Sequence, residues 1–173
     1  MTASQWIGRV VRPAVIVGGI LPALYLALGV LEITTIGLGA KPAEKLEHFT
    51  GTTTLVLLLL SLAITPLRRL SGINPLIRLR KPLGLWAFAY ALMHMSCYLV
   101  FDQSLLWGEI YYDIIKRPYI TVGFAAFLIL LVLALTSSAW AIRKLGKRWN
   151  SLHRLVYLAA ALGVFHYLWL VKL

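Results

Sequence analysis

The chain has 173 residues, of which 60% are hydrophobic and 13% charged, with a mean hydropathy of +0.82. That composition excludes an ordinary soluble domain and predicts an all-α, polytopic membrane protein. The formal net charge of +11 raises the question of nucleic acid, but the basic stretches are short and flank apolar runs, which argues against that partner. Cys97 is the single cysteine. An intrachain disulfide, an iron–sulfur cluster and a zinc–thiolate site are therefore excluded, and Cys97 reads as a small buried hydrophobe.

Five runs are apolar enough to cross a hydrocarbon core of about 30 Å as helices: Pro13–Leu31, Phe49–Leu67, Pro82–Phe101, Tyr119–Ala139 and Leu152–Val171. The first follows Arg9 and Arg12 and precedes GLGA at Gly37–Ala40. It is long for a signal-peptide core and is expected to be a retained helix. Pro13 suits its first turn, while Pro22 and Gly18-Gly19 inside it predict a kink and close helix contact. Pro66 is expected to end the second run beside Arg68 and Arg69. Asn74-Pro75 should break the following loop, Pro82 suits the first turn of the third run, and Pro118 should open the fourth. Trp149, Trp169, Tyr111, Tyr112 and Tyr119 fall near expected interfaces, as an aromatic belt does. Residues 1–173 read as one membrane domain with no evident sequence repeat. No phosphate-binding glycine motif is present, so nicotinamide oxidation would have to occur on another protein.

Charge sets an expected orientation. With the N-terminus inside, the inner segments carry Arg9, Arg12, Arg68, Arg69, Arg78, Arg80, Lys81, Arg143, Lys144, Lys147, Arg148 and Arg154, and no acid. The outer segments carry every acid, Glu32, Glu44, Glu47, Asp102, Glu109 and Asp113, with Lys41, Lys45, Lys116, Arg117 and Lys172. This is the positive-inside bias, and the basic side also suits anionic headgroups or an anionic partner.

The chemistry-bearing residues are histidines within the apolar runs. An ionisable group at bilayer depth is costly and marks a functional site, and neutral imidazole is a common axial ligand of haem iron. At about 1.5 Å per residue, His94 lies about 18 Å into the third run and His166 about 21 Å into the fifth. Their matched depth predicts that they clamp one iron between two helices. His153 lies at the inner edge, about 20 Å below His166, which suits a second haem. On a straight helix the two rings would point about 140° apart, so a second haem needs another side of the helix or a bend. No second histidine serves an inner iron. Arg80, and with it Arg78 or Lys81, suits haem propionates. His48 is too shallow for a ready ligand, and Met93 and Met95 read as packing residues. Gly51, Gly84 and Gly163 could let a flat macrocycle approach a helix or serve ordinary helix packing.

At these residues the chain resembles the MsrQ family of haem-binding membrane subunits, part of the ferric reductase-like transmembrane group. The resemblance runs through GLGAKPAEKLEHFTG (Gly37–Gly51), ITPL (Ile64–Leu67), PLIRLRKPLGLW (Pro75–Trp86), KRPYITVG (Lys116–Gly123), RKLGKRWNSLHRLVYL (Arg143–Leu158) and HYLW (His166–Trp169). It implies b-type haem, one or two, on His94, His153 and His166. It implies electrons from a cytoplasmic flavin reductase or the quinol pool, delivered across the bacterial inner membrane to the periplasmic molybdopterin subunit MsrP, which repairs methionine sulfoxide in envelope proteins. It also implies FMN, for which no motif is visible. The family usually has six spans against the five counted here; the sixth carries none of the three histidines. The chain offers no molybdenum site or catalytic cysteine of its own. The alternatives are a quinol-linked or metal-reducing b-type cytochrome, or a haem-free membrane scaffold or transporter whose histidines pack or relay protons.

Overall fold

The computed structural model describes residues 2–31 and 39–171. Glu32, Gly37, Leu38 and Lys172, which the sequence reading used, lie outside the described residues. In chain order the helices are α1 (Ala3–Val30), α2 (Pro42–Ser71), α3 (Asn74–Asp102), α4 (Trp107–Lys116), α5 (Pro118–Leu135), α6 (Ala139–Leu145) and α7 (Lys147–Val171). Of these, α1, α2, α3, α5 and α7 are long and apolar enough to cross a membrane, as the five runs predict. Among the described residues every regular element is helical, which suits spans that must satisfy all backbone groups internally. Large apolar side chains such as Leu21, Val56, Leu60, Leu92 and Leu168 are exposed on the spans, a surface that lipid solvates and water does not.

Several helix boundaries depart from the apolar runs. Pro13 lies inside α1 rather than in its first turn. A wide π turn over Ile7–Val11 precedes it, with the Arg12 N–H reaching back to the Ile7 carbonyl; the wider turn makes room for a ring that cannot donate to the turn behind it. Pro66 does not end α2, which continues to Ser71; proline is tolerated where local adjustment meets the freed carbonyl. The stop comes at Gly72, with φ of 70°, where a left-handed residue ends the helix without a Cβ clash. Asn74-Pro75 forms a short 3-10 turn, Asn74–Leu79, that runs directly into the α-helix from Arg80. Pro82 and Pro118 do lie in first turns.

The chain forms two compact units, Met1–His94 and Met95–Leu173. In the first, Ile7, Ile64 and Leu79 form a buried cluster with Val11, Val15, Leu76 and Leu83 packed on it. Before Pro22 the α-helical hydrogen bonding is interrupted at Gly19 and Ile20, and α3 supplies partners there. The Ile20 N–H turns to the Val17 carbonyl, and the Ile16 carbonyl accepts the Trp86 indole N–H at 3.0 Å. Between Ala23 and Gly19 the helical bond is replaced by the Tyr90 hydroxyl, which donates to the Gly19 carbonyl at 2.7 Å and accepts from the Ala23 N–H at 2.9 Å. Tyr90 is fully buried. A Cβ on Gly19 would collide with the Trp86 indole, which is the close contact the glycine pair predicts.

In the second unit α5 and α7 pack together, burying Ala126, Leu130 and Leu133 on one and Ala159 and Ala160 on the other; small residues let membrane helices approach closely. The start of α5 is tied to the preceding segment by Asp113, a buried carboxylate in α4. Asp113 accepts from Gln103 Nε2 at 2.7 Å and from the Tyr98 hydroxyl at 3.4 Å, and it pairs with Arg117 Nε at 3.2 Å. The Thr121 hydroxyl also donates to the Ile114 carbonyl. Arg117 occupies the N-cap position of α5 without a side-chain capping bond, and its pKa is raised, first by the hydrogen bond with the Tyr119 side chain and further by Asp113, with partial burial opposing.

Candidate haem-ligand histidines

His94 is half-buried on α3, in the first unit. Its Nδ1 lies 3.0 Å from the carbonyl oxygen of Glu47 on α2. One turn further along α2, the ring lies over Gly51, where a Cβ would stand 3.1 Å from both Nδ1 and Cε1. The neighbouring Thr50 is fully buried, and its hydroxyl donates to the Leu46 and Glu47 carbonyls at 2.7 and 3.1 Å.

His166, on α7 of the second unit, is built the same way. Its Nδ1 lies 2.7 Å from the Tyr119 carbonyl oxygen on α5. The ring lies over Gly123, where a Cβ would stand 2.8 Å from Nδ1 and 2.9 Å from Cε1. The Tyr119 ring flanks it at a centroid distance of 6.4 Å.

A carbonyl oxygen can only accept, so Nδ1 must donate in both sites. That assignment fixes the tautomer with the proton on Nδ1 and the lone pair on Nε2. A ligating histidine commonly has its other ring nitrogen bonded to a carbonyl in this way, which orients the ring and raises its basicity. Both residues therefore fit axial ligation of a haem iron through Nε2.

His153 is built differently. Its Nε2 lies 3.0 Å from the Thr136 hydroxyl oxygen. That hydroxyl also lies 2.7 Å from the Val132 carbonyl; with its hydrogen directed there it accepts from His153, which assigns the proton to Nε2. The ring stacks on Trp149 at 3.9 Å between centroids, and the Trp149 indole N–H donates to the Thr136 carbonyl at 2.9 Å. Trp149, expected in an aromatic belt, is thus part of this node. The helix also breaks at Arg154, between Lys147–His153 and Leu155–Val171, so the 140° separation expected for a straight helix does not apply.

The other expected residues are placed as follows. Arg78 is exposed and donates to the Ser4 carbonyl at 3.4 Å. Arg80 is half-buried, and its carbonyl accepts from the Ser61 hydroxyl at 3.1 Å. His48 is exposed in the second turn of α2, beside the Lys41–Glu44 ion pair of 2.9 Å. Gly84 faces Ser61 at an ordinary contact distance of 3.7 Å. Among the described residues no three His, Cys, Asp or Glu side chains gather as a bare metal-ion site.

The sequence reading missed the carbonyl partners and Gly123. The signal was a spacing. Each carbonyl residue precedes its histidine by 47 positions, and each glycine follows its carbonyl residue by four. Glu47, Gly51 and His94 recur as Tyr119, Gly123 and His166, 72 residues on. The surrounding residues differ, so the repeat is one of position rather than of sequence.

Comparison with known proteins bears on what these histidines hold. The family described as ferric reductase like transmembrane component matches residues 50–164, a stretch that contains Gly51, His94, Gly123 and His153. A Bordetella pertussis protein is 48% identical over 167 residues, covering 96% of this chain and 79% of the relative. A protein of Azospira oryzae is 53% identical over 163 residues, covering 94% and 69%. One of Herminiimonas arsenicoxydans is 49% identical over 161 residues, covering 92% and 72%. All three are named protein-methionine-sulfoxide reductase heme-binding subunit MsrQ. The chain belongs to the MsrQ family. It is a helical membrane protein of the ferric reductase-like group, as the sequence motifs imply. No solved structure gives a significant match.

Proposed function

We propose that this MsrQ-family chain is a membrane b-type cytochrome that carries electrons across the bacterial inner membrane for repair of methionine sulfoxide. The observation that supports the reading most is the matched treatment of His94 and His166. Each is a histidine on an apolar helix with Nδ1 committed to a backbone carbonyl, in a chain whose relatives are named haem-binding subunits. Haem supplies one-electron Fe(III)/Fe(II) chemistry when bound. The chain's own residues orient the His94 and His166 imidazoles and commit each Nδ1 to a carbonyl.

In this reading His94 and His166 ligate the same haem, on the argument from their common depth. His153 ligates a second haem nearer the basic side. It would do so through Nδ1 with the Thr136 bond kept, or through Nε2 once that bond opens, and Arg78 and Arg80 would meet the propionates. The acid-free side, taken as cytoplasmic, receives electrons from a flavin reductase or quinol, and the acidic side delivers them to MsrP. FMN is assigned no residue.

Absorption spectroscopy of the purified chain tests the cofactor. A Soret band with sharp reduced α and β bands is expected, and His94→Ala and His166→Ala should each remove one low-spin haem. A haem-free protein from haem-replete cells, or full haem in both variants, would overturn the assignment. For direction, the chain is placed in oriented vesicles. A reductase on the basic side should reduce the haem and MsrP on the acidic side should reoxidise it; reoxidation only from the basic side would reverse the route.

A further inference from the structure

The same small device occurs twice in this chain, in helices of unrelated local sequence. A helix carbonyl, a glycine one turn later and a histidine 47 positions after the carbonyl residue meet as Glu47, Gly51 and His94, and again as Tyr119, Gly123 and His166. Nothing about helix formation or hydropathy requires glycine there. Gly51 lies in a run of threonine and leucine, and Gly123 in a run of valine, phenylalanine and alanine. What requires glycine is the ring. At Gly123 a methyl group would sit 2.8 Å from Nδ1, nearer than real Cβ atoms approach, and at Gly51 it would sit 3.1 Å away, tighter than ordinary contact. A methyl would lie against the same Nδ1 that bonds the carbonyl, so the ring could relieve it only by leaving the carbonyl or turning about its χ angles.

We infer that Gly51 and Gly123 are positioning residues for the two histidines: their missing Cβ lets the Nδ1–Cε1 edge of each ring approach α2 or α5 closely enough for Nδ1–H to reach the Glu47 or Tyr119 carbonyl. This deepens the reading of His94 and His166 as haem ligands and rests on it. The two glycines fix the imidazole planes and, through the Nδ1 bond, the donor strength of Nε2, properties on which haem potential and spin state depend. The device is graded: the contact at Gly123 is tighter than at Gly51, so the second unit tolerates a side chain less.

The test uses the full chain, haem-loaded in detergent, with Gly51→Ala, Gly123→Ala, the histidine variants, and Gly18→Ala as a control, since a Cβ on Gly18 meets open space. Haem stoichiometry, the EPR g values of the ferric state, the midpoint potential and carbon monoxide binding to the ferrous state are measured. Both glycine variants should keep their haem yet shift the low-spin g values and the potential. Both should also gain a carbon monoxide-reactive fraction, larger in Gly123→Ala, while Gly18→Ala stays at wild type. If His94→Ala and His166→Ala lose haem but both glycine variants keep wild-type g values, potential and carbon monoxide silence, the positioning role is wrong and the ligand reading stands. If the histidine variants keep full haem, the ligand reading itself fails. The wild-type protein supplies a measurement that needs no variant. In the diamagnetic ferrous state, 15N-labelled histidine should show two slowly exchanging Nδ1–H groups, and rapid exchange at both would overturn the inference.

Discussion

The two units build one histidine–carbonyl arrangement and hold it by unrelated means. In the first, the histidine-bearing helix α3 is anchored from behind: Trp86 and Tyr90 bond carbonyls freed by the break in α1 hydrogen bonding. In the second, it is the carbonyl-bearing helix α5 that is anchored, at its start, through Asp113, Arg117 and Gln103. The histidine arrangement consists of a carbonyl, a gap and a ring. The frame demands only that two helices keep their register, which a buried hydroxyl or a buried carboxylate achieves equally. His153 stands apart from both. Its ring is held through Nε2, not Nδ1, and by a stacked indole; with the Thr136 hydroxyl directed to Val132 this assigns it the opposite tautomer.

The largest effect should come from the two proposed ligands. His94→Ala and His166→Ala should each abolish one low-spin haem, read by pyridine haemochrome quantification, and a double variant that loses no more than either single one would support one shared iron. Next, Asp113→Ala removes the acceptor shared by Arg117 and Gln103. With Arg117 half exposed the ion-pair part is discounted, which leaves a cost of about 2 kcal/mol from orphaned donors around a buried site. Thermal unfolding by circular dichroism should show it, and the haem g values should shift with it if the start of α5 positions the Tyr119 carbonyl. Tyr90→Phe is smaller, about 1–2 kcal/mol, because it strands the Ala23 N–H and the Gly19 carbonyl while keeping the ring. An unchanged melting curve would mean that the break in α1 closes its own hydrogen bond. Smallest in stability is Thr136→Val, at about 1 kcal/mol or less, yet it sharpens the contrast between histidines. It should alter the tautomer balance of His153, read by 15N histidine shifts, and leave His94 and His166 as they are; a change at those two would erase the distinction drawn between them.

Much of this molecule is legible in its residues. A span needs about 20 apolar positions, so length and hydropathy alone locate the five crossings, and an imidazole within such a run marks a site because burying it in lipid is costly. The basic and acidic loops sort themselves along the chain before any fold is known. Helix boundaries were less legible. Pro66 looks like a stop, yet a helix in lipid gains so little by ending that it runs on to Gly72, where backbone conformation ends it.

What the sequence by itself determined, then, is which segments cross the membrane, that histidines lie within them, and the family to which the motifs belong. The tertiary structure decided what each histidine does with its two nitrogens. A tautomer depends on which acceptor lies within about 3 Å of the ring, and for His94 and His166 that acceptor is a backbone carbonyl 47 positions away. A carbonyl belongs to every residue type alike, so no amino-acid letter signals it. Only the neighbouring glycines leave a trace in the sequence, and their meaning becomes visible once the rings are seen lying on them.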